Sequence, residues 1–289
     1  MIEDINKYRQ HISTTTAAFG FYVLTFCFLK IALDIYCVYN NKSMLSTNLL
    51  TLAFSLIFAI FMYSRNLDAT KNDLICGNVD HSIAAVSTLV PFVIIYGLTV
   101  TCLHIFPGWL RCFSNTFGTW FVNLFLSLNE TMLDWIQLHA GSRPDDNGAD
   151  LNAIAHMIKH SPETLFNELD GDYTTSGNVI VWQSFDDINK QLKSKIKKQN
   201  SSLIVSGEGE GEEKVAEGPD QKNGQTDSIK QTLLLYVCIK NAIGLCIWLY
   251  GIGLITLQVG FNAMLAQDCS SFKRSHTDVQ EYIRERLKE

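Results

Sequence analysis

Charged residues are scarce in this sequence. Asp, Glu, Lys and Arg make up 18% of its 289 residues, whereas soluble proteins carry about 25%. Proline is also rare, and no two cysteines have the two-residue spacing that zinc and redox sites use. Most of the eight cysteines lie in or beside apolar runs, where a free thiol behaves as a small apolar side chain. We therefore expect neither a secreted disulfide framework nor a metal site.

Catalytic and cofactor motifs are missing as well. The chain has no GxSxG, P-loop or dinucleotide-binding pattern. His156 and His160 share a helix face without a carboxylate partner in the sequence, and residues 145–150 lack the ligand spacing of a calcium loop. The net charge of −6, with one short lysine run at 190–198, argues against nucleic-acid binding. We expect no enzyme activity and no cofactor.

Long apolar runs are what the chain does have. Crossing a bilayer takes about 20 residues, and four segments are long enough: about 17–39, 44–63, 83–106 and 241–262. Backbone in lipid must satisfy its own hydrogen bonds, so these segments are predicted to be helices. The polar start of the chain does not read as a cleavable signal peptide. The predicted fold class is a mainly α, polytopic membrane protein with a lipid bilayer around it.

Basic residues favour an even number of spans. The start of the chain, the loop at 64–82 and the tail at 267–289 together carry nine Lys and Arg residues, whereas the loop between the first two spans carries only Lys42. Positive charge concentrates on the cytoplasmic side. Four spans with both termini cytoplasmic are therefore predicted, and residues 107–240 then lie on the same side as Lys42.

The region after the third span is harder to assign. Residues 119–139 have apolar positions at three- and four-residue steps with polar interruptions, which favours an amphipathic helix in the bilayer interface. Residues 140–198 contain a strand-like run from Val179 to Trp182 and three short helical patterns, at about 151–160, from Pro162 onward and at 186–198. They predict a small polar α(+β) module.

These patterns divide the chain into five parts. An N-terminal membrane region covers 1–139, and the polar module covers 140–198. A flexible acidic linker is expected at 199–230, because that stretch is rich in Gly, Glu and Lys. The last transmembrane segment lies in 231–266, with Lys240 expected to extend its ammonium to the membrane surface. A charged tail at 267–289 completes the chain.

Two polar or small-residue patterns within the spans suggest specific roles. Lys30 and Asp34 lie one helical turn apart in the first span, and charge at membrane depth points either to an internal pair or to an ion path. An internal pair is favoured because no other span has a charge at its middle. The last span carries glycines at seven-residue spacing, which predicts close helix packing: Gly244, Gly251, Gly253 and Gly260.

The run from Phe106 to Gly118 does not have the composition of a span. It reads Phe-Pro-Gly-Trp-Leu-Arg-Cys-Phe-Ser-Asn-Thr-Phe-Gly. Pro and Gly stop a helix, and Ser, Asn and Thr bond their own backbone in turns. A tight turn at the membrane surface is therefore predicted. Its side chains expected to present a rigid contact surface are Trp109, Arg111, Ser114, Asn115, Thr116 and Phe117.

This run resembles the FPGW…FSNTFG string that follows a transmembrane helix in a family of membrane proteins from nucleocytoplasmic large DNA viruses. The order Phe261-Asn262 and then Cys269-Ser270 resembles the end of the same family, whereas Thr119-Trp120 departs from its Gly-Tyr continuation. The resemblance implies a structural protein of the virion inner membrane, made in host endomembranes, that binds capsid or minor capsid proteins. Self-association is a further expectation, and a small channel or transporter using Lys30 and Asp34 is the alternative.

Overall fold

Long helices dominate the structure. The computed structural model describes residues 2–42, 45–71, 79–106, 108–140, 162–176, 179–191, 194 and 219–266. Helix α1 is Ile2–Tyr39 and α2 is Leu45–Thr70. Helix α3, His81–Pro91, continues through a π-helical turn, Phe92–Gly97, into α4, Leu98–Ile105. Asp80 begins α3, because its carboxylate accepts from the backbone N–H groups of Ser82 and Ile83.

The second half of the chain has shorter elements and one very long helix. Helix α5, Gly108–Phe113, passes through a second π-helical turn, Ser114–Gly118, into α6, Thr119–Phe125. Helices α7, Leu128–Ala140, and α8, Pro162–Asn167, follow. Strands β1, Thr174–Ser176, and β2, Val179–Val181, form an antiparallel pair before α9 at 183–191. Helix α10 is Pro219–Leu265.

Four helices are long and apolar enough to cross a bilayer: Gln10–Tyr39, Leu49–Thr70, His81–Leu103 and Thr226–Leu265. The protein is therefore mainly α-helical and polytopic, as its hydropathy predicts. The last of these helices has 40 residues, or about 60 Å at 1.5 Å per residue, twice the hydrocarbon thickness of about 30 Å. Part of it consequently extends out of the bilayer.

The chain forms two compact units. Unit 1 comprises residues 1–28, 48–110 and 246–289, and unit 2 comprises 29–47 and 111–245. The boundary runs through both the first and the last spanning helix, so the units do not follow the sequence division into a membrane region, a module and a last span.

Unit 1 is held together by aromatic side chains. Phe19 and Phe58 have ring centroids 4.9 Å apart, and Tyr22 stacks on Phe54 at 4.8 Å. This pairing order makes α1 and α2 antiparallel, as the short connection between them predicts. Offset and tilted ring pairs contribute beyond the area that they bury. The Tyr22 hydroxyl also donates to the Phe54 carbonyl oxygen at 3.0 Å.

Unit 2 has a core built from segments distant in sequence. Trp135 of α7 and Trp182 stack on Phe185 of α9, with centroids 4.8 and 5.3 Å away. Leu233 and Val237 of α10 are fully buried in the same cluster. The indole nitrogen of Trp182 donates to the Asp170 carbonyl oxygen at 2.6 Å. The polar middle of the chain is thus folded onto the first half of the last long helix.

Three local expectations differ from the structure. The predicted turn at 106–118 is helical from Gly108 onward. The single helix expected at 119–139 is broken at Leu126–Ser127 into α6 and α7, and Leu128, Met132 and Trp135 are buried in protein. Part of the expected flexible linker, 219–230, belongs to α10. Each of these segments has residues that pack against parts of the chain distant in sequence, and the local pattern does not show such contacts.

Other expectations lie outside the described residues. These are the two histidines at 156 and 160, the acidic run at 145–150, the linker from 199 to 218, Pro107, and the tail from 267 with Cys269. The predictions that start a helix at Pro162 and a strand at Val179 are confirmed.

Candidate functional site

Residues 111–118 of the motif run belong to unit 2 and pack one helix face inside it. Ser114 is 1% exposed and Gly118 is buried, four residues apart on the same face. The Ser114 hydroxyl donates to the Arg111 carbonyl oxygen at 3.4 Å, and the Thr116 hydroxyl donates to that of Cys112 at 2.7 Å. The short polar side chains therefore bond back to the helix rather than forming a turn.

Two glycines let this helix approach α10 closely. A Cβ atom on Gly118 would lie 2.9 Å from the Lys240 Cα atom, and closer still to its carbonyl oxygen. A Cβ atom on Gly244 would lie 2.6 Å from the Ser114 backbone nitrogen. Because both obstacles are backbone atoms, neither can rotate away. Small residues thus bring the two backbones into contact, which is how helices in membrane proteins commonly pack.

Lys240 lies inside unit 2, so the expectation that it reaches the membrane surface is wrong. The residue is 2% exposed. Its ammonium donates to the Asn115 side-chain oxygen at 3.2 Å and to the Phe166 carbonyl oxygen at 3.5 Å. It also lies 4.8 Å from the centroid of the Phe166 ring. A buried charge needs such partners, and Asn115 supplies one through a contact between residues 125 positions apart.

Arg111 is paired within unit 2. Its guanidinium lies 2.6 Å from a carboxylate oxygen of Asp170. The two side chains remain 58% and 48% exposed, so this ion pair contributes only about 0–1 kcal/mol. Arg111 is consequently positioned by Asp170 but still reaches solvent.

The remaining motif residues face outward. Trp109 is 51% exposed and Phe117 is 47% exposed, and Thr116 is exposed beside Phe117. Trp109 stacks on Phe106 with ring centroids 5.8 Å apart. The six residues predicted as a contact surface therefore fall into two groups. Ser114 and Asn115 make contacts inside the protein, and the other four are exposed at its surface: Trp109, Arg111, Thr116 and Phe117.

Lys30 and Asp34 form an ion pair within one helix. The ammonium lies 2.8 and 2.9 Å from the two carboxylate oxygens of Asp34. Asp34 is 1% exposed and the Lys30 side chain is 11% exposed. Both carboxylate oxygens are bonded to the one ammonium, so the two charges neutralise each other within the helix.

The glycines of the last span have unequal surroundings. In unit 1 a Cβ on Gly253 would run into the Phe19 ring, and one on Gly260 would lie 2.7 Å from the Ser87 carbonyl oxygen. Nothing lies within 4 Å of the position for Gly251. Close packing thus involves three of the four predicted glycines.

Two residues that sequence reasoning missed bind the turn after α1. The Tyr173 hydroxyl donates to the Lys42 carbonyl oxygen at 3.0 Å, and the Gln231 amide donates to that of Val38 at 3.3 Å. Burial raises the pKa of Tyr173, so its phenol stays protonated and remains a donor. These contacts agree with a four-span topology, in which the turn and residues 107–240 share one side of the membrane. No signal in the sequence links residues 131 positions apart.

Among the residues that the structure describes, no group of three or more His, Cys, Asp or Glu side chains is placed to hold a metal ion. The chain matches no family model, and no curated protein or solved structure is significantly similar to it. What is established is a mainly α-helical protein with four helices suited to a bilayer and a folded unit built on the connection between the third and the fourth.

Proposed function

We propose that this chain is a structural protein that anchors a folded helical unit to one face of a membrane. Its spans hold it in the bilayer, and the exposed side chains of the 106–118 run form the surface that other proteins contact. We place it in the inner membrane of a large DNA virus particle, where it joins the bilayer to capsid or minor capsid proteins. During assembly it resides in host endomembranes.

The observation that carries this proposal is the division of the motif side chains. The Asn115 side-chain oxygen accepts from the Lys240 ammonium inside unit 2, and Ser114 is buried where its backbone meets Gly244 of α10. Trp109 and Phe117, in contrast, expose about half of their surface. In a ligand-binding or catalytic segment, the polar side chains would be exposed to the ligand. In a segment that contacts another protein, polar side chains can instead hold the helix in place inside the protein while aromatic rings are exposed at the surface.

The internal pair of Lys30 and Asp34 supports a scaffold over a conduit. An ion path needs polar groups that exchange partners along its length. Here both carboxylate oxygens of Asp34 are bonded to the same ammonium. The viral location and the capsid partner rest on the resemblance of the 106–118 run to the large-DNA-virus family.

Site-specific photo-crosslinking tests this proposal. A photoreactive phenylalanine analogue is placed at Phe117 or Trp109, and in a control at Val93, which is 61% exposed within the third span. We expect the first two positions to crosslink to a capsid or minor capsid protein in assembling particles. The control should crosslink to lipid alone.

Two results would contradict the proposal. One is absence of the chain from the membrane fraction of purified particles. The other is crosslinking at Phe117 and Trp109 to lipid only, as at Val93, which would make the exposed rings membrane anchors rather than a protein contact.

A further inference from the structure

A small cavity opens between three helices of unit 1, near the ends of the candidate spans at Gln10, Thr70 and Leu265. Its volume is about 30 Å³. Polar and basic side chains from α1, α2 and α10 line one part of it: His11, Thr15, Arg65, Asn66 and Gln258. Leu254, Leu257 and Phe261 line another part. The cavity is therefore lined by both polar and apolar side chains.

The buried hydroxyl of Thr15 indicates that the cavity binds a ligand. The residue is 9% exposed, and its hydroxyl oxygen is buried without a hydrogen-bond partner among the described residues. Other threonines of α1 bond back to their own helix, as Thr14 does to Gln10 and Thr25 does to Phe21. A buried hydroxyl without a hydrogen-bond partner is unfavourable, because the group has lost its bonds to water. A group in the cavity that accepts a hydrogen bond from the Thr15 hydroxyl would remove this penalty.

Arg65 gives the cavity its charge. Its guanidinium carbon lies 5.5 Å from the centroid of the Phe61 ring, and among the described residues it has no carboxylate within ion-pair distance. The nearby Lys71 is different, because it lies 3.4 Å from a carboxylate oxygen of Asp68. Arg65 can therefore bind an anion without giving up an ion pair.

The depth of the cavity identifies the kind of anion. The candidate spans end at Gln10, Thr70 and Leu265 on this side, and His11 and Arg65 lie one and five residues inside those ends. This depth corresponds to the phosphate layer of a bilayer. About 30 Å³ holds one or two water-sized atoms, so it can hold one phosphate oxygen while the rest of the group remains at the opening.

We infer that this cavity binds a phosphate group by one of its anionic oxygens, and that a phospholipid of the surrounding leaflet supplies it. Thr15 donates its hydroxyl proton to that oxygen, and Arg65 balances its charge. The apolar side chains of the lining accommodate the glycerol end of the acyl chains. Anionic lipids are favoured over zwitterionic ones, because they bring no second cation next to Arg65.

The test measures thermal unfolding of the full chain in detergent with three probes: dioctanoyl phosphatidylglycerol, dioctanoyl phosphatidylcholine and inorganic phosphate. A ligand of the native state raises the melting temperature with concentration. We expect the first probe to stabilise the protein most. We expect Arg65→Gln and Thr15→Val each to weaken the apparent affinity for dioctanoyl phosphatidylglycerol at least tenfold. Lys71→Gln, a matched loss of one positive charge outside the cavity, should leave the affinity unchanged.

The outcomes separate the sources of phosphate. Stabilisation by inorganic phosphate alone, lost in both cavity variants, would support the phosphate site and overturn the lipid assignment. Equal stabilisation of wild type, Thr15→Val and Arg65→Gln by the lipid would overturn the site itself, and so would no stabilisation by any probe. If Arg65→Gln does not fold, the test rests on Thr15→Val, which keeps the shape of the side chain and removes only its hydroxyl.

Discussion

Gly244 and Gly251 offer a matched test of how unit 2 is assembled. Both lie in α10, seven residues apart, and both have the same helical backbone. An added Cβ on Gly244 would lie 2.6 to 2.8 Å from three atoms of Ser114, two of them backbone atoms. On Gly251 it would meet nothing within 4 Å. The same Gly→Ala substitution therefore has opposite expected effects at the two positions.

The magnitude follows from two competing terms. Alanine in place of glycine within a helix stabilises by about 0.5–1 kcal/mol, and overpacking a close contact costs about 1–3 kcal/mol. Gly244→Ala should thus lower the free energy of unfolding by roughly 1–2 kcal/mol, while Gly251→Ala should leave it unchanged or raise it by up to about 1 kcal/mol. Denaturation in mixed micelles, followed by tryptophan fluorescence, measures both. Equal values for the two variants would refute the close approach of α10 to the 114–118 segment.

Three further predictions concern the charged side chains. Replacing Lys30 and Asp34 together by Leu should preserve folding, since a buried ion pair often does no better than apolar packing; vesicles that conduct ions with the wild type but not with this variant would favour the channel alternative. Asn115→Ala should destabilise unit 2 by about 1–3 kcal/mol, because it leaves the Lys240 ammonium short of an acceptor; adding Lys240→Met should restore most of that loss, and additive effects in this double-mutant cycle would contradict the contact. Arg111→Ala should change the melting temperature little, as expected for an exposed ion pair worth about 0–1 kcal/mol, and a large loss of stability would show that the pair is structurally essential.

The spanning helices could be predicted because hydropathy is a local property. Four apolar runs of about 20 residues identify four helices regardless of how these pack. Their ends differ from the predicted ones, most of all in the last helix, which begins at residue 226 and not at 241. The capping Asp80 and the helix-starting Pro162 are likewise signals carried by single residues. Such features need no knowledge of distant contacts.

The interior of unit 2 could not be predicted for the opposite reason. Phe166 and Trp182 lie in a stretch too short to form its own core, and their partners, Leu233 and Val237, are in a helix that reads as a membrane span. Lys240 illustrates the same difficulty. A lysine near the end of an apolar run ordinarily reaches the membrane surface. Its burial here depends on acceptors from segments distant in sequence, the Asn115 side-chain oxygen and the Phe166 carbonyl oxygen.

The side of the membrane that carries unit 2 is the most direct test of the account. The three cysteines outside the apolar runs, Cys76, Cys112 and Cys269, are first replaced by Ser. Single cysteines are then introduced in place of Lys42, Lys71 and Asp187, which are all exposed. In sealed, uniformly oriented vesicles, a membrane-impermeant thiol reagent should label positions 42 and 187 together. It should label position 71 only from the opposite side. If the cysteine at position 187 is labelled from the same side as that at position 71, and not from the side of position 42, the chain crosses the membrane once more between Phe106 and Asp187. The four-span account would then be wrong.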